Sequence, residues 1–328
     1  VGVKLIRTHL GIDQHSVSPD PVAYYVNPHD GGIVHTNRTF TDVLPVANLF
    51  VDLRENLKLR AAFSKNMQLL DLDQWGGGLT LNYAFTAGPP SVFAVYGGQQ
   101  GGNPKLDPWR STNYDLSLEY YMGRSSMLSI AAFYVDVASF VAQEGTTRCD
   151  LPDQDGVVRN RCVGISGPSQ GSGKSLHGLE LGWKQAFDFL PGVLRNTGID
   201  ANYTYSPSSI GTDVAGNNIP FPENSKQQAN LILWYQDKNL EIRVAGNHRS
   251  ERAVEKDYGG ITGFQEYQAP TTYIDASASY SFAHHFQVFV DGSNLTHEKE
   301  RYYLVWPDMK LNTTQFEARY ALGVRAKL

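Results

Sequence analysis

The last thirteen residues constrain the fold more than any other stretch. In Phe316-Glu317-Ala318-Arg319-Tyr320-Ala321-Leu322-Gly323-Val324-Arg325-Ala326-Lys327-Leu328 every even position is apolar. The odd positions carry Glu317, Arg319, Arg325 and Lys327, with small Ala321 and Gly323 between them. A period of two over this length predicts a β-strand with one face in an apolar medium. It also exceeds the usual soluble strand of about five or six residues. The same alternation recurs at Tyr114, Leu116, Leu118 and Tyr120, at Leu240, Ile242 and Val244, and at Ile274, Ala276, Ala278, Tyr280 and Phe282. These outward sets end in Tyr or Phe near tight turns, as an interfacial aromatic girdle does.

Composition agrees with this reading. The 328 residues include 18 Tyr, 15 Phe and 31 Gly but only 4 Met and 2 Cys, which suits strands joined by turns. No run approaches 18 uninterrupted apolar residues, so membrane-spanning helices are excluded. The mean hydropathy of −0.34 is no objection to a barrel, whose strands alternate lipid-facing with polar lumen-facing residues. A net charge of −5 without Lys/Arg-rich runs argues against nucleic-acid binding.

The connections are asymmetric. Short turns fall at 54–56, 122–125, 236–239 and 283–285, with a slightly longer one at 190–196. Long polar or Gly/Pro-rich stretches cover 10–40, 67–110, 144–173, 207–225, 253–270 and 304–312. About twelve strands are expected, near 1–9, 41–53, 57–66, 111–121, 126–143, 174–188, 197–206, 226–236, 240–252, 271–282, 286–303 and 313–328. Short periplasmic turns opposite long extracellular loops characterise outer-membrane barrels, whereas a soluble domain with so many long loops is unusual. The competing fold is a soluble β-sandwich or solenoid, which also alternates because one face packs on a core.

Family resemblance enters at Asn103-Pro104-Lys105-Leu106-Asp107-Pro108-Trp109, a loop leading into Asn113-Tyr114-Asp115-Leu116. It resembles the corresponding Asn-Pro-x-Leu-x-Pro segment of TonB-dependent receptors. Ser129–Asp136 is similar to that family's next strand, and Val290–Glu298, with Asn294-Leu295-Thr296, to its penultimate one. Phe40–Leu49 is similar to a segment of the xanthomonad and caulobacter subgroup. The resemblance implies an all-β, antiparallel transmembrane barrel of 22 strands with a plugged lumen, in the outer membrane of a Gram-negative cell. The chain would supply about twelve C-terminal strands of it across 1–328, with plug, TonB-contacting box and signal peptide upstream of Val1. Expected partners are outer-membrane lipid, the TonB complex through that plug, and a small nutrient, with carbohydrate implied by the subgroup; a monomer is expected. Such barrels usually end in Phe, and here the last residue is Leu328. The alternative is a complete barrel of about twelve strands, acting as a passive channel or an outer-membrane hydrolase. A receptor for siderophores or other nutrients is a further possibility.

Cys149 and Cys162 share one expected outer loop, an oxidising location that favours a disulfide; free thiols and a metal pair are the alternatives, and the spacing is poor for zinc. The loops carry the aromatics Trp75, Phe93, Tyr96, Trp109, Tyr258, Tyr267 and Trp306. They would stack on a ligand, with Asp71, Asp73, Arg252, Glu255 and Asp308 as hydrogen-bonding neighbours, or else pack the loops themselves. Candidate substrate-binding residues are Trp75, Tyr96, Trp109, Arg252, Tyr258 and Trp306. His284-His285 reads as a solvated turn. Nothing resembles a nucleophile elbow or a metalloprotease motif, so no catalytic residues, metal or cofactor are expected.

Overall fold

Alternating segments that each bury nothing by themselves must pair with one another. In the computed structural model, which describes residues 1–15, 33–123, 125–282 and 285–326, they pair antiparallel with their sequence neighbours into one continuous wall. Its strands are β1 (Gly2–His15), β2 (Ile33–Arg54), β3 (Leu57–Gln68), β4 (Trp109–Met122), β5 (Ser126–Arg148) and β6 (Val163–Ala186). They continue with β7 (Thr197–Tyr205), β8 (Gln227–Gln236), β9 (Leu240–Arg249), β10 (Thr271–Phe282), β11 (Phe286–Ser293) and β12 (Arg319–Ala326). Five connections are short and lie at one end; six are long and lie at the other. Among the described residues no helix is long and apolar enough to cross a membrane. The tip of the first long loop, His284 and Leu328 lie outside the described residues.

Register decides which face each side chain takes. Leu116 opposes Ala132, Ala132 opposes Leu179, and Leu179 opposes Tyr205. Val290 likewise lies between Ala278 and Leu322. Directly opposed residues share a face, so one apolar outer surface runs unbroken from β4 to β12. Leu322 is 84% exposed on it. A contiguous apolar face of this extent is foreign to soluble monomers, which removes the sandwich reading. Tyr120, Trp183, Tyr280, Phe282 and Phe286 line its short-turn border, and Tyr114, Tyr134, Tyr205 and Tyr320 its other border. Tyr114 and Tyr120 are six positions apart, about 20 Å along a strand, close to the apolar height of an outer-membrane wall.

The inner face is polar. Glu119, Ser129, Gly182, Asn202, Asn230 and Asn247 stand side by side on consecutive strands. The Asn230 amide donates to Asn202 Oδ1 at 2.8 Å, and the Asn247 amide donates to Asn230 Oδ1. Among the described residues β1 pairs only with β2, and β12 only with β11. The wall is therefore open along one seam and is not a closed twelve-stranded barrel.

Several boundaries depart from the sequence expectation. The expected loop 10–40 is strand at both ends, because β1 runs to His15 and β2 begins at Ile33, paired residue by residue. Stretch 144–173 is largely strand: β5 runs to Arg148 and β6 begins at Val163, paired residue by residue. There Gly, Ser and Pro interrupt the alternation and imitate a loop, although Val163 and Ile165 are buried. The loop 67–110 holds a short helix, Leu72–Gly76, and a hairpin of Leu79–Thr86 with Val92–Gln100. The expected strands 286–303 and 313–328 each divide. Asn294, at φ 52°, ends β11, and its side chain bonds Phe316 O and the Glu298 N–H, both at 2.8 Å. The chain leaves the wall there, and Lys299–Leu304 and Lys310–Gln315 join a separate four-stranded sheet with Arg252–Ala253 and Glu266–Gln268.

Buried apolar side chains gather at the long-loop end, because the wall between is a single sheet with one apolar and one polar face, neither covered by another layer. There the loops dock closely. A Cβ on Gly145 would lie 1.9 Å from Asp257 O, and one on Gly164 2.2 Å from Gly259 O, so only glycine lets the 250–270 loop rest on β5 and β6. Cys149 and Cys162 are disulfide-bonded. Replacing both with serine should ease opening of the loop between them by about 3 kcal/mol in the chain-entropy model. Amide exchange across 150–161 should then rise on the order of a hundredfold; unchanged exchange would show that the bond adds nothing to the loop's other anchors.

Candidate functional site

The segment from Asn103 to Trp109 is held before it can hold anything else. Leu106 is fully buried; its carbonyl accepts from Trp75 Nε1 at 2.9 Å and from Arg38 Nη1. Arg38 also pairs with Asp107, the Asp107 N–H donates to Gln170, and Ser139 Oγ donates to Pro108 O at 2.6 Å. These bonds fix the start of β4 and turn the Trp109 indole into the lumen. Its ring lies 6.0 Å from Phe140 and 6.4 Å from Phe221, which are 4.6 Å apart.

Beside this cluster is a cavity of about 370 Å³ lined by Met67, Trp109, Val135, Val137, Leu176 and Phe221, with Asn66, Gln68, Arg110 and Ser111 at its rim. Arg110 is neutralised by Asp42, its Nε donating at 2.6 Å to a carboxylate that is nearly buried. A second hollow of about 310 Å³ adjoins it across Val135 and is lined by Asn113, Asp115, Phe133 and Glu180. Asn113 Oδ1 is buried with no hydrogen-bond partner. Among the described residues neither Asp115 nor Glu180 has an ion-pair partner.

Above the cavity, Phe221–Glu223 connects it to the four-stranded loop sheet. Glu223 pairs with Arg252, which also donates to Gln268 Oε1. Tyr302 and Tyr273 both donate to Glu300, each at 3.1 Å. On the sheet's other face Tyr267 donates to Asp213 at 3.0 Å and Tyr303 donates to Glu251. Burial and the adjacent Glu255 push the Glu266 carboxyl up to about 7. Its ordinary value is 4.5, so between those pH values the closed loop keeps a proton that the opened loop has released. Stability therefore falls as pH rises through that window and levels off above it. Amide exchange in 250–270, corrected for its intrinsic pH dependence, should be slower at pH 5 than at pH 8, and Glu266→Gln should reduce the difference, leaving the part due to Glu251 and Glu255, whose carboxyls burial also raises.

The structure separates the six sequence candidates. Trp109 and Arg252 come together through Phe221–Glu223. Tyr258 and Trp306 converge on Phe264: the Tyr258 N–H bonds Phe264 O, and the Trp306 ring stands edge-on to Phe264 at 6.4 Å. Tyr96 is 61% exposed on the hairpin, away from the cavity. Trp75, 2% exposed, packs among Ile12, Phe40, Leu70, Leu106 and Val141, so its indole is a packing element. Sequence reasoning missed Phe140, Phe221, Asn113 and Glu180. Phe221 had a signal, the apolar Ile219-Pro220-Phe221-Pro222 inside a polar loop; Asn113 and Glu180 looked like any inward-facing position.

Residues 12–295 match the model of the family described as TonB dependent receptor-like, beta-barrel. Among solved structures, a mutant of the ferric enterobactin receptor PfeA from Pseudomonas aeruginosa is similar at TM-score 0.57 and 15% identity, over 92% of this chain and 43% of that one. The ferric-catecholate import receptor Fiu from K12 E. coli gives 0.57 and 14%, over 99% and 41%. The siderophore receptor PirA from Acinetobacter baumannii gives 0.56 and 15%, over 89% and 42%. The chain thus spans about two fifths of the length of these structures, and at such identities the likeness concerns the fold. No curated protein sequence matches it.

Proposed function

The chain belongs to the TonB-dependent receptor-like β-barrel family, and from that membership we propose that it forms the C-terminal part of the wall of a receptor for active nutrient import. The carrying observation is the open wall, lipid-facing on one side throughout and bearing every long loop at one end. In this reading 1–328 lies in the outer membrane of a Gram-negative cell, further strands close the seam between β1 and β12, and a plug fills the lumen. The loops capture a small nutrient, and TonB supplies the energy to move the plug. The wall gives no support to a channel that is complete in twelve strands, and the family's transport role makes catalysis unnecessary.

For the substrate we favour carbohydrate, in keeping with the subgroup resemblance at Phe40–Leu49. Supporting this, stretches 206–226, 250–270 and 294–318 together hold ten carboxylates against six Lys and Arg. An acidic vestibule repels anions, while carboxylates, amides and tyrosines suit hydroxyl groups. The siderophore reading rests on the names of the structural neighbours. Uptake of labelled oligosaccharide by cells making the full-length receptor, with and without TonB, tests the proposal. Loss of uptake without TonB is expected; uptake at full rate would overturn active transport, and uptake of ferric siderophores in place of sugar would overturn the substrate class.

A further inference from the structure

One connection at the short-turn end is unlike the other four. Those at 54–56, 122–125, 236–239 and 283–285 carry one large apolar residue between them, Met122, whereas 187–196 carries Phe187, Phe189, Leu190, Val193 and Leu194. Phe189 is 70% exposed, Val193 69% and Leu194 52%. The lobe is nonetheless ordered by its own hydrogen bonds. The Phe187 N–H donates to Thr197 O and the Leu190 N–H to Phe187 O, both at 2.9 Å. Gly192–Asn196 is a 3-10 turn, and Thr197 Oγ1 donates to Leu194 O at 2.7 Å.

Strand phase says which way the lobe faces. Leu179, Leu181 and Trp183 lie on the outer, apolar face of β6, opposite Tyr205, Tyr203 and Ala201. Phe187 keeps this phase, two outward positions beyond Trp183, and its bond to Thr197 continues the ladder of β6 and β7. The Phe189 ring stands edge-on to Phe187 at 6.0 Å. The apolar surface of the wall therefore runs on past its aromatic border into this turn, on the side away from the lumen and from a plug within it. β6 is five strands from β1 and β7 five from β12, so strands that close the seam do not reach it either. We propose that 187–196 is a membrane foot, seated in the phospholipid headgroup layer of the periplasmic leaflet with Phe187, Phe189, Val193 and Leu194 turned toward the hydrocarbon. Continuity with the lipid-facing wall selects this occupant. A turn cannot enter hydrocarbon, where its backbone polar groups find no partners, but in the headgroup layer its aromatic and aliphatic side chains leave water while its backbone stays hydrated. Asp188 and Arg195 cancel, so the lobe brings no net charge to an anionic leaflet. The inference rests on the receptor reading and adds to it a specific contact with one leaflet.

Nitroxide accessibility in the full-length receptor, held in nanodiscs of phosphatidylethanolamine and phosphatidylglycerol, tests it. Spin labels are placed on Val193→Cys, on Leu181→Cys in the wall and on Lys238→Cys in a polar turn, with the labelled parent as blank; Cys149 and Cys162 are bonded to each other and take no label. The ratio of oxygen to nickel-chelate collision rates should be at least about threefold higher at 193 than at 238, as for a residue held at a lipid interface. Adding Phe189→Ser and Leu194→Ser should bring the ratio at 193 down to that at 238. Equal ratios at 193 and 238, a ratio at 193 unmoved by the two serines, or a label shielded from both reagents by covering protein would each overturn the foot. The wall label separates the two claims. An apolar ratio at 181 beside an aqueous one at 193 defeats the foot alone, while an aqueous ratio at 181 defeats the outer-membrane reading itself.

Discussion

Trp75→Ala should detach the 69–108 loop from the top of β1 and β2, with a loss of about 3–5 kcal/mol in local stability, as for large-to-small changes at buried aromatic sites. The indole is among the largest fully buried side chains. It stacks near Phe40 at 6.3 Å, and its N–H occupies the carbonyl of Leu106. Removing it opens a cavity and takes away one of that carbonyl's two donors, leaving Arg38. Limited proteolysis of the full-length receptor should show cleavage within 69–108 accelerated on the order of a hundredfold to a thousandfold, with the wall still resistant. Trp75→Phe keeps most of the packing and loses the hydrogen bond, so it should cost about 1 kcal/mol. If Trp75→Ala leaves the cleavage rate unchanged, Trp75 is not what seats the loop.

Asp153→Ala should loosen the 149–162 loop from the Leu79–Gln100 hairpin at a cost of about 2–3 kcal/mol, because it removes a buried charged acceptor and leaves the Val95 N–H unsatisfied. Asp153 is 1% exposed. Its carboxylate accepts from Arg159 at 2.9 Å, from Arg161 at 3.2 Å and from the Val95 N–H at 2.9 Å. The alanine variant leaves two guanidinium groups and a backbone N–H without this acceptor. Amide exchange at Val95 and through 150–161 should rise on the order of a hundredfold even with the disulfide intact. If the single variant exchanges like the parent, the disulfide and the apolar contacts of Leu151 hold the loop unaided.

These two anchors show where sequence reading ends. Trp75 and Asp153 sit in loops, where no period fixes which way a side chain points. Trp75 was legible as an aromatic among polar residues, a pattern shared by ligand platforms and loop cores. Only contact with Phe40 and Leu106, distant in sequence, separates those two uses. Asp153 had no signal at all, as it lies in a loop with two other aspartates, Asp150 and Asp155. Trp109 and Arg252 were legible as candidates, yet their common neighbourhood depends on Phe221–Glu223 crossing between them.

The strand division at Asn294 has the same cause. The expected strand 286–303 ran through this position, but one left-handed residue and its bonds to Phe316 and Glu298 redirect the chain. The Asn103–Trp109 stretch is a further case. It carried the family resemblance, and the structure uses it as a brace for Trp109.

What the sequence by itself determined is the wall. Period-two alternation obliges each segment to present one face to lipid and one to the lumen, and the short and long connections set the order and direction of the strands. Each of those properties is local, or links nearest neighbours along the chain. Tertiary structure alone decided which loop residues share a cavity, which acids are buried together, and that β1 and β12 remain unpaired. Those outcomes depend on contacts between residues far apart in sequence, where neither period nor composition carries information.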